Sequence, residues 1–146
     1  MSDVHDKETR SYNMSRIASR NTKPELIVRR FLHSRGLRYS LRNKHLPGNP
    51  DIVFSRFRAA VFVNGCFWHG HKNCKYFVIP KTRTEWWTKK INGNIQRDKN
   101  AIRELHKLDW KTIVIWECAL KSKKAEATLT NILNQLTTLK HRYAQA

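Results

Sequence analysis

Between Val63 and Cys74 the chain reads V-N-G-C-F-W-H-G-H-K-N-C, which gathers two thiols, two imidazoles and two adjacent aromatic rings into one short segment. The remaining cysteine, Cys118, lies far downstream in W-E-C. Three thiols and one imidazole make a complete ligand set for a tetrahedral zinc ion. Cys66, His71 and Cys74 follow the spacing C-x4-H-x2-C, so one loop can bring them together while Cys118 arrives from the end of a neighbouring strand. Such a site is closed, and the spacing predicts a structural zinc with no open position for chemistry. His69 can take the place of His71 in this set. The bland alternative is a group of buried free thiols, because cysteine is often simply core.

Acidic residues are scarce, with 11 Asp and Glu against 29 Lys and Arg. An acid in an apolar setting therefore needs a reason. Asp51 follows Pro50 and opens the apolar run I-V-F. A carboxylate there is costly unless it is paired or binds a metal. Glu25, on a preceding helix, can come alongside, and His69 follows the next apolar run closely enough to reach the same place. Together these groups can hold Mg²⁺, polarise a phosphate and move a proton from water. Taken singly, each has a plainer reading. Asp51 can be a turn residue, Glu25 the capping-box partner of Thr22, and His69 a loop residue or zinc ligand.

The net charge of +18, over 146 residues with the surplus spread along the chain, points to a polyanionic partner, and nucleic acid comes first. Phe67 and Trp68, held rigid beside a metal, could then be pushed into a stack of bases. No segment approaches the length of a spanning helix, and the polar, partly acidic start Met1–Glu8 does not read as a signal peptide. The expectation is an intracellular, cytoplasmic protein that does not engage a membrane. Three cysteines cannot all pair in disulfides, and a reducing compartment favours metal ligation.

These groups must be positioned by a scaffold of alternating elements. T-K-P-E, with Thr22 as cap and Pro24 in the first turn, predicts a helix from about Lys23 to Arg35, with Leu26, Ile27, Phe31 and Leu32 inward and Gly36 ending it. Leu37–Leu41 suits a short strand. The runs D-I-V-F and A-A-V-F-V predict a buried hairpin joined by the basic segment 55–58. T-R-T-E offers a second capping box, with Thr82 as cap and Thr84 as the alternative start. A long helix then runs to about Leu108, with Trp87, Ile91, Ile95, Ile102, Leu105 and Leu108 along one side. Lys111–Trp116 reads as a buried strand, with Trp110 and Trp116 packed in the core, and 124–140 as a final amphipathic helix. Strands with helices before and after them suggest a sheet covered on both faces.

Several of these motifs occur together in one known family. T-R-S-Y-N-M-S-R-I, T-K-P-E, L-P-G-N-P-D, G-C-F-W-H, P-K-T-R-T-E-W-W, K-I-N-G-N, R-D and W-E-C-A-L, in that order, resemble the very-short-patch-repair (Vsr) mismatch endonucleases over nearly the whole chain. The resemblance implies a three-layer α/β/α restriction-endonuclease-like fold with a central mixed sheet. It implies Mg²⁺-dependent nicking of duplex DNA 5′ of the thymine in a T·G mismatch, the lesion left when 5-methylcytosine deaminates. Asp51 matches the metal-binding aspartate, and Val63 falls where a backbone carbonyl completes the magnesium site. His69 matches the catalytic histidine and Glu25 the supporting acid. Cys66, His71, Cys74 and Cys118 match the zinc ligands. Phe67, Trp68 and Trp87 match aromatics that wedge into the stack from the major groove, and Met14 matches an apolar residue entering from the minor-groove side. Lys90 and Asn94 match residues that read the mispair. Asn64 stands where a second histidine is often found, and an amide can orient water or phosphate but cannot shuttle a proton. One residue also stands inserted between His71 and Cys74 relative to a common family spacing.

The resulting expectation is a monomeric, zinc-stabilised DNA mismatch nickase. Residues 1–22 form a DNA-contacting arm and 23–146 the endonuclease domain. Arg10, Arg16, Arg20, Lys23, Lys89 and Arg97 are placed to meet phosphates, and a functional link to a cytosine-5 DNA methyltransferase and to mismatch-repair proteins is implied. Two alternatives stand beside it. One is a zinc-containing DNA-binding module with a decayed catalytic site, and the other is a nuclease of the same fold with another DNA target.

Overall fold

The computed structural model describes residues 22–41, 43–121 and 123–144. Met14 and the expected N-terminal arm, with Arg10, Arg16 and Arg20, lie outside the described residues. Helix α1 spans Lys23–Ser34, and its start is fixed as the sequence predicts: the Thr22 hydroxyl accepts the Glu25 backbone N–H at 3.4 Å. At its end Gly36, with φ of +82°, takes the left-handed position, and the Leu37 N–H returns to the Leu32 carbonyl. Val28 and Leu32 carry its buried face, with Ile27 and Phe31 packed at the margin. Leu26 is half-buried. The inward stripe is thus rotated slightly from the one read off the apolar residues.

The sheet has the order β1-β2-β3-β4, with β1 at Ser40–Leu41, β2 at Ile52–Phe54, β3 at Ala59–Asn64 and β4 at Lys111–Trp116. The first two pairings are antiparallel and the third, β3 with β4, is parallel. The β2–β3 hairpin forms as predicted, in the register Ile52↔Val61 and Phe54↔Ala59. Its connection is a single 3₁₀ turn, Ser55–Phe57, which folds Phe57 back to stack on Phe54 at 5.0 Å. The predicted strand at 37–41 contracts to two residues, because Leu37 is drawn under α1.

Parallel pairing of β3 and β4 requires a long crossover. Helix α2, Thr84–Lys107, supplies it. The capping box at 82–85 does not form. Arg83 is the N-cap in a left-handed conformation, and the Thr84 hydroxyl donates to the Pro80 and Lys81 carbonyls. Ile91 and Leu105 are buried as expected, whereas Leu108 is exposed.

Helix α3, Lys124–Ala144, closes the described chain. Its Leu129, Ile132 and Leu136 join Val28 and Leu32 of α1 in one apolar cluster with Ile52, Phe54, Val61, Ile113 and Ile115 of the sheet. Strand residues alternate between faces. Phe62 therefore faces the other way, where Gly48 brings its backbone against Ala101 of α2 and the Phe62 ring. The result is a mixed α/β domain whose four-stranded sheet carries α1 and α3 on one face and α2 on the other. Along β4 only Ile113 and Ile115 of the expected buried run are buried, alternating with half-buried neighbours, because only the face turned to α1 and α3 is closely covered. No helix among the described residues is long and apolar enough to cross a membrane.

Candidate active site and metal centre

The hairpin positions the first carboxylate. The Asp51 backbone N–H donates to the Val61 carbonyl at 3.0 Å, and Asp51 Oδ2 accepts the Val63 N–H at 2.7 Å. The acid is thereby held across the hairpin, at the point where β3 runs out towards the loop of thiols and rings. The resemblance pairs the Asp51 carboxylate with the Val63 carbonyl, and the contact formed here is to the Val63 N–H.

Asn64 ends β3, buried, opposite Trp116 in the parallel register. The chain then turns tightly: the His69 and His71 N–H groups donate to the Gly65 and Cys66 carbonyls. His69 projects to α2, where its Nδ1 lies 2.7 Å from Asp98 Oδ2. An ionised carboxylate only accepts, so Nδ1 carries the proton and Nε2 is the ring atom left to exchange one with a substrate. Glu25 is buried, with its carboxylate 3.2 Å from Arg29 Nη1 one helical turn on.

The ligand atoms of Cys66, His71, Cys74 and Cys118 all lie within 4.8 Å of one another. The cluster takes His71 and not His69, whose Nδ1 is held by Asp98. Cys118 arrives from the 3₁₀ turn Glu117–Leu120 that follows β4. Its N–H donates to Cys66 Sγ at 3.4 Å, the kind of bond that supports a thiolate. The His71 ring lies flat on Trp116, 4.0 Å between centroids and 6° between planes. Trp116 therefore braces a ligand and is not buried in the core as expected. Burial pushes the Cys66 thiol up to about 12, against the pull of the Cys118 N–H. Desolvation acts on Cys74 as well, but the N–H groups of Tyr76 and Phe77 and the two neighbouring thiols outweigh it and lower that thiol. A set of three sulfurs and one nitrogen converging at this spacing fits a tetrahedral soft-ligand metal such as zinc, and coordination would deprotonate the thiols.

Beside the cluster the rings of Phe67, Trp68 and Trp87 pack on one another. Phe67 meets Trp68 at 5.2 Å and Trp87 at 5.3 Å, and Trp68 meets Trp87 at 5.8 Å. The interplanar angles of 55–80° are those of tilted and edge-on packing, not of a flat stack. Asn94 Nδ2 donates to the Trp68 carbonyl at 2.8 Å.

A family description, DNA mismatch endonuclease Vsr, matches residues 2–75. The DNA mismatch endonuclease Vsr of Escherichia coli K12 is 44% identical over 85% of this chain and 79% of its own length. The chain belongs to the Vsr family. The type II nicking enzymes V.NmeAIP of Neisseria meningitidis and V.XorIIP of Xanthomonas oryzae pv. oryzae are also similar. The first is 46% identical over 84% of this chain and 87% of its own, and the second 45% identical over 92% and 98%.

Sequence reasoning missed several residues that this Vsr-family chain places in the site. Asp98 is the chief omission. The R-D motif was in view, but a lone acid on a basic helix reads as a solvated face until His69 is seen against it. Trp86 meets Trp87 edge-on at 4.8 Å, and the Arg83 guanidinium lies over its ring. Phe77 packs on Phe67 from the far side of the metal loop. Asn94, expected at the mispair, bonds the loop and receives the Arg97 guanidinium. Lys90 is exposed on the same helix.

Proposed function

We propose that this Vsr-family DNA endonuclease nicks duplex DNA 5′ of the thymine of a T·G mismatch in a Mg²⁺-dependent reaction. The observation that carries the reading is continuity. Asp51 is fixed to Val63, the chain runs four residues to Phe67 and Trp68, and the next residue is the Asp98-bound imidazole of His69. The groups suited to opening a base step and those suited to cutting the backbone share one loop.

Magnesium is a hard cation that is commonly bound by one or two carboxylates plus substrate phosphate and water. The Asp51 carboxylate and the Val63 carbonyl offer an oxygen set of that type, and a bound Mg²⁺ would polarise the phosphate and neutralise developing charge. The protein's own part is to orient and to move protons. His69 Nε2 accepts a proton from the attacking water, and Asp98 stabilises the imidazolium that forms. The water oxygen bonds to phosphorus as the bond to the leaving ribose oxygen breaks, and that oxygen takes up a proton from a second water. Asn64 orients water or phosphate without taking a proton, and Glu25, neutralised by Arg29, supports the site from α1.

A T·G wobble stacks and pairs more weakly than a matched pair, so parting its step costs less. Ring–base stacking of roughly 1–3 kcal/mol per base offsets that cost. Phe67, Trp68 and Trp87 supply it from one groove and Met14 from the other, while Lys90 contacts the mispair. The cysteine–histidine cluster holds a structural zinc that keeps the loop from collapsing. The domain of residues 23–146 is a restriction-endonuclease-like α/β/α fold that acts as a monomer in the cytoplasm at the nucleoid. The lesion links it to a cytosine-5 DNA methyltransferase and to mismatch-repair proteins. The test is nicking of a T·G oligonucleotide duplex with and without Mg²⁺. Strand-specific cleavage 5′ of the thymine supports the reading, and cleavage indifferent to the mispair refutes it.

A further inference from the structure

We infer that Lys75, Tyr76 and Lys121 form a clamp for one phosphodiester of the duplex, separate from the one that is cut and mounted on the metal loop. This inference rests on duplex DNA as the substrate and holds whichever mispair is preferred.

Tyr76 stays 42% exposed beside Phe77, whose own ring packs on Phe67. An exposed aromatic face attracts cations. Two arrive here: Lys121 Nζ stands 4.0 Å from the Tyr76 ring centroid and Lys75 Nζ 5.2 Å. Lys75 is the chain neighbour of Tyr76, so its approach is local. Lys121 comes from beyond β4, after the 3₁₀ turn Glu117–Leu120. The cysteine–histidine cluster makes this meeting. The Phe77 N–H donates to the Cys74 carbonyl at 3.0 Å, and the Lys121 N–H donates to the Cys118 carbonyl at 3.4 Å. Cys74 and Cys118 are both members of the cluster, so the ring and the distant ammonium hang from two sides of one centre.

Two ammoniums drawn to one ring repel each other, and the attraction of an exposed ring is weak. Glu117, with Oε1 3.9 Å from Lys121 Nζ, cancels one of the two charges. A single positive charge is left over, which one phosphodiester matches. Its two free oxygens can each accept from an ammonium, and the phenol O–H can donate as well. Such a clamp reads no base. Backbone contacts fix a protein's register on the duplex. This one is carried by the loop that bears Phe67 and Trp68, with Phe77 packed between Tyr76 and the rings. Holding a phosphate here sets the duplex against the rings before a step is opened.

The experiment measures affinity for T·G and matched oligonucleotide duplexes by fluorescence anisotropy over a range of salt. Wild-type protein is compared with Lys75→Gln/Lys121→Gln and with Tyr76→Leu. The changed side chains are exposed or half-exposed, and both variants should keep the wild-type melting temperature. Loss of one phosphate contact lowers the slope of log affinity against log salt by about 0.9. The double lysine variant should show that fall on both duplexes alike. Its affinity should drop about eightfold at roughly 0.1 M salt and about twofold at roughly 0.5 M. Tyr76→Leu keeps both charges, so it should bind both duplexes a few-fold more weakly with the wild-type slope.

A single methylphosphonate, moved stepwise along the duplex, locates the contact. One position should weaken wild-type protein and leave the double lysine variant unaffected. An unchanged slope in that variant would overturn the clamp and return the lysines to solvated surface. A fall of about 1.8 would overturn the sharing of one phosphate, and a loss confined to the T·G duplex would make the group a reader of bases instead. Wild-type affinity in Tyr76→Leu would overturn the role of the ring as platform. If wild-type protein binds neither duplex, the reading of DNA as substrate fails with this one, and that result is distinct from variants that bind like wild type.

Discussion

His69 Nδ1 and the Asp98 carboxylate stand 2.7 Å apart across 29 positions of sequence, joining the loop after β3 to the middle of the crossover helix. The contact selects the tautomer with the proton on Nδ1 and leaves Nε2 bare, free to accept one. Asp98→Asn should preserve the fold and DNA affinity while lowering the nicking rate by about 10²–10⁴-fold, the range attributed to a positioned acid–base group. Single-turnover kinetics and a fluorescence-anisotropy titration on the same duplex check this. Nicking within a few-fold of wild type would remove Asp98 from the mechanism.

The metal centre makes a prediction about protons. With Cys66 pushed up to about 12, its thiol is protonated at neutral pH, so loading zinc must displace that proton. Zinc titrated into metal-free protein in weak buffer should release protons, and affinity should fall as the pH is lowered. The sign for stability without metal also follows. The folded thiol holds its proton more tightly than the ordinary value of 9.0, so the stabilisation is complete below pH 9 and is lost as pH rises towards 12. Metal-free protein should melt lower at pH 10 than at pH 8. Cys118→Ser should lower the melting temperature and weaken zinc retention against a chelator, and unchanged retention would contradict a four-ligand site.

The rings should act as one body. Trp68→Ala should reduce discrimination between T·G and matched duplex by about 1–3 kcal/mol. Trp68 and Trp87 touch, so the loss in the double variant should differ from the sum of the single losses. Equilibrium binding to the two duplexes reads this directly. Unchanged discrimination would return the rings to a packing role.

Glu25 is the one buried acid among the described residues, and Arg29 faces it from the next turn of α1. Arg29→Met should lower stability by about 1–3 kcal/mol, since a charged group loses a charge-assisted bond in a desolvated place. Adding Glu25→Gln should recover part of that loss while leaving nicking impaired. Chemical denaturation separates the two effects, and full stability in Arg29→Met would show the pair to be incidental.

The sequence announced residue types better than their partners. The ligand set was legible because thiols and imidazoles in one short loop have few other uses, yet the choice between His69 and His71 depended on which ring the folded loop turns towards the thiols. Helix α1 could be read from Thr22, Pro24 and Gly36 because caps are local chemistry. At the start of α2 the Thr82 capping box misled, and the helix begins at the alternative, Thr84, with Arg83 before it in the left-handed region. Burial of β4 was overread, since an apolar run does not reveal which of its two faces is closely covered. Asp98 and Asn94 look like ordinary polar residues on a basic helix until the loop is laid across them.

The most direct test of the account is strand-resolved nicking of a T·G duplex with Mg²⁺ by wild-type protein and by Asp51→Ala, with DNA affinity measured alongside. The expected result is a cut 5′ of the thymine by wild type and loss of nicking in Asp51→Ala with affinity retained. Asp51→Ala cutting at the wild-type rate would contradict the account, because no metal-holding role could then be assigned to the carboxylate bonded to Val63.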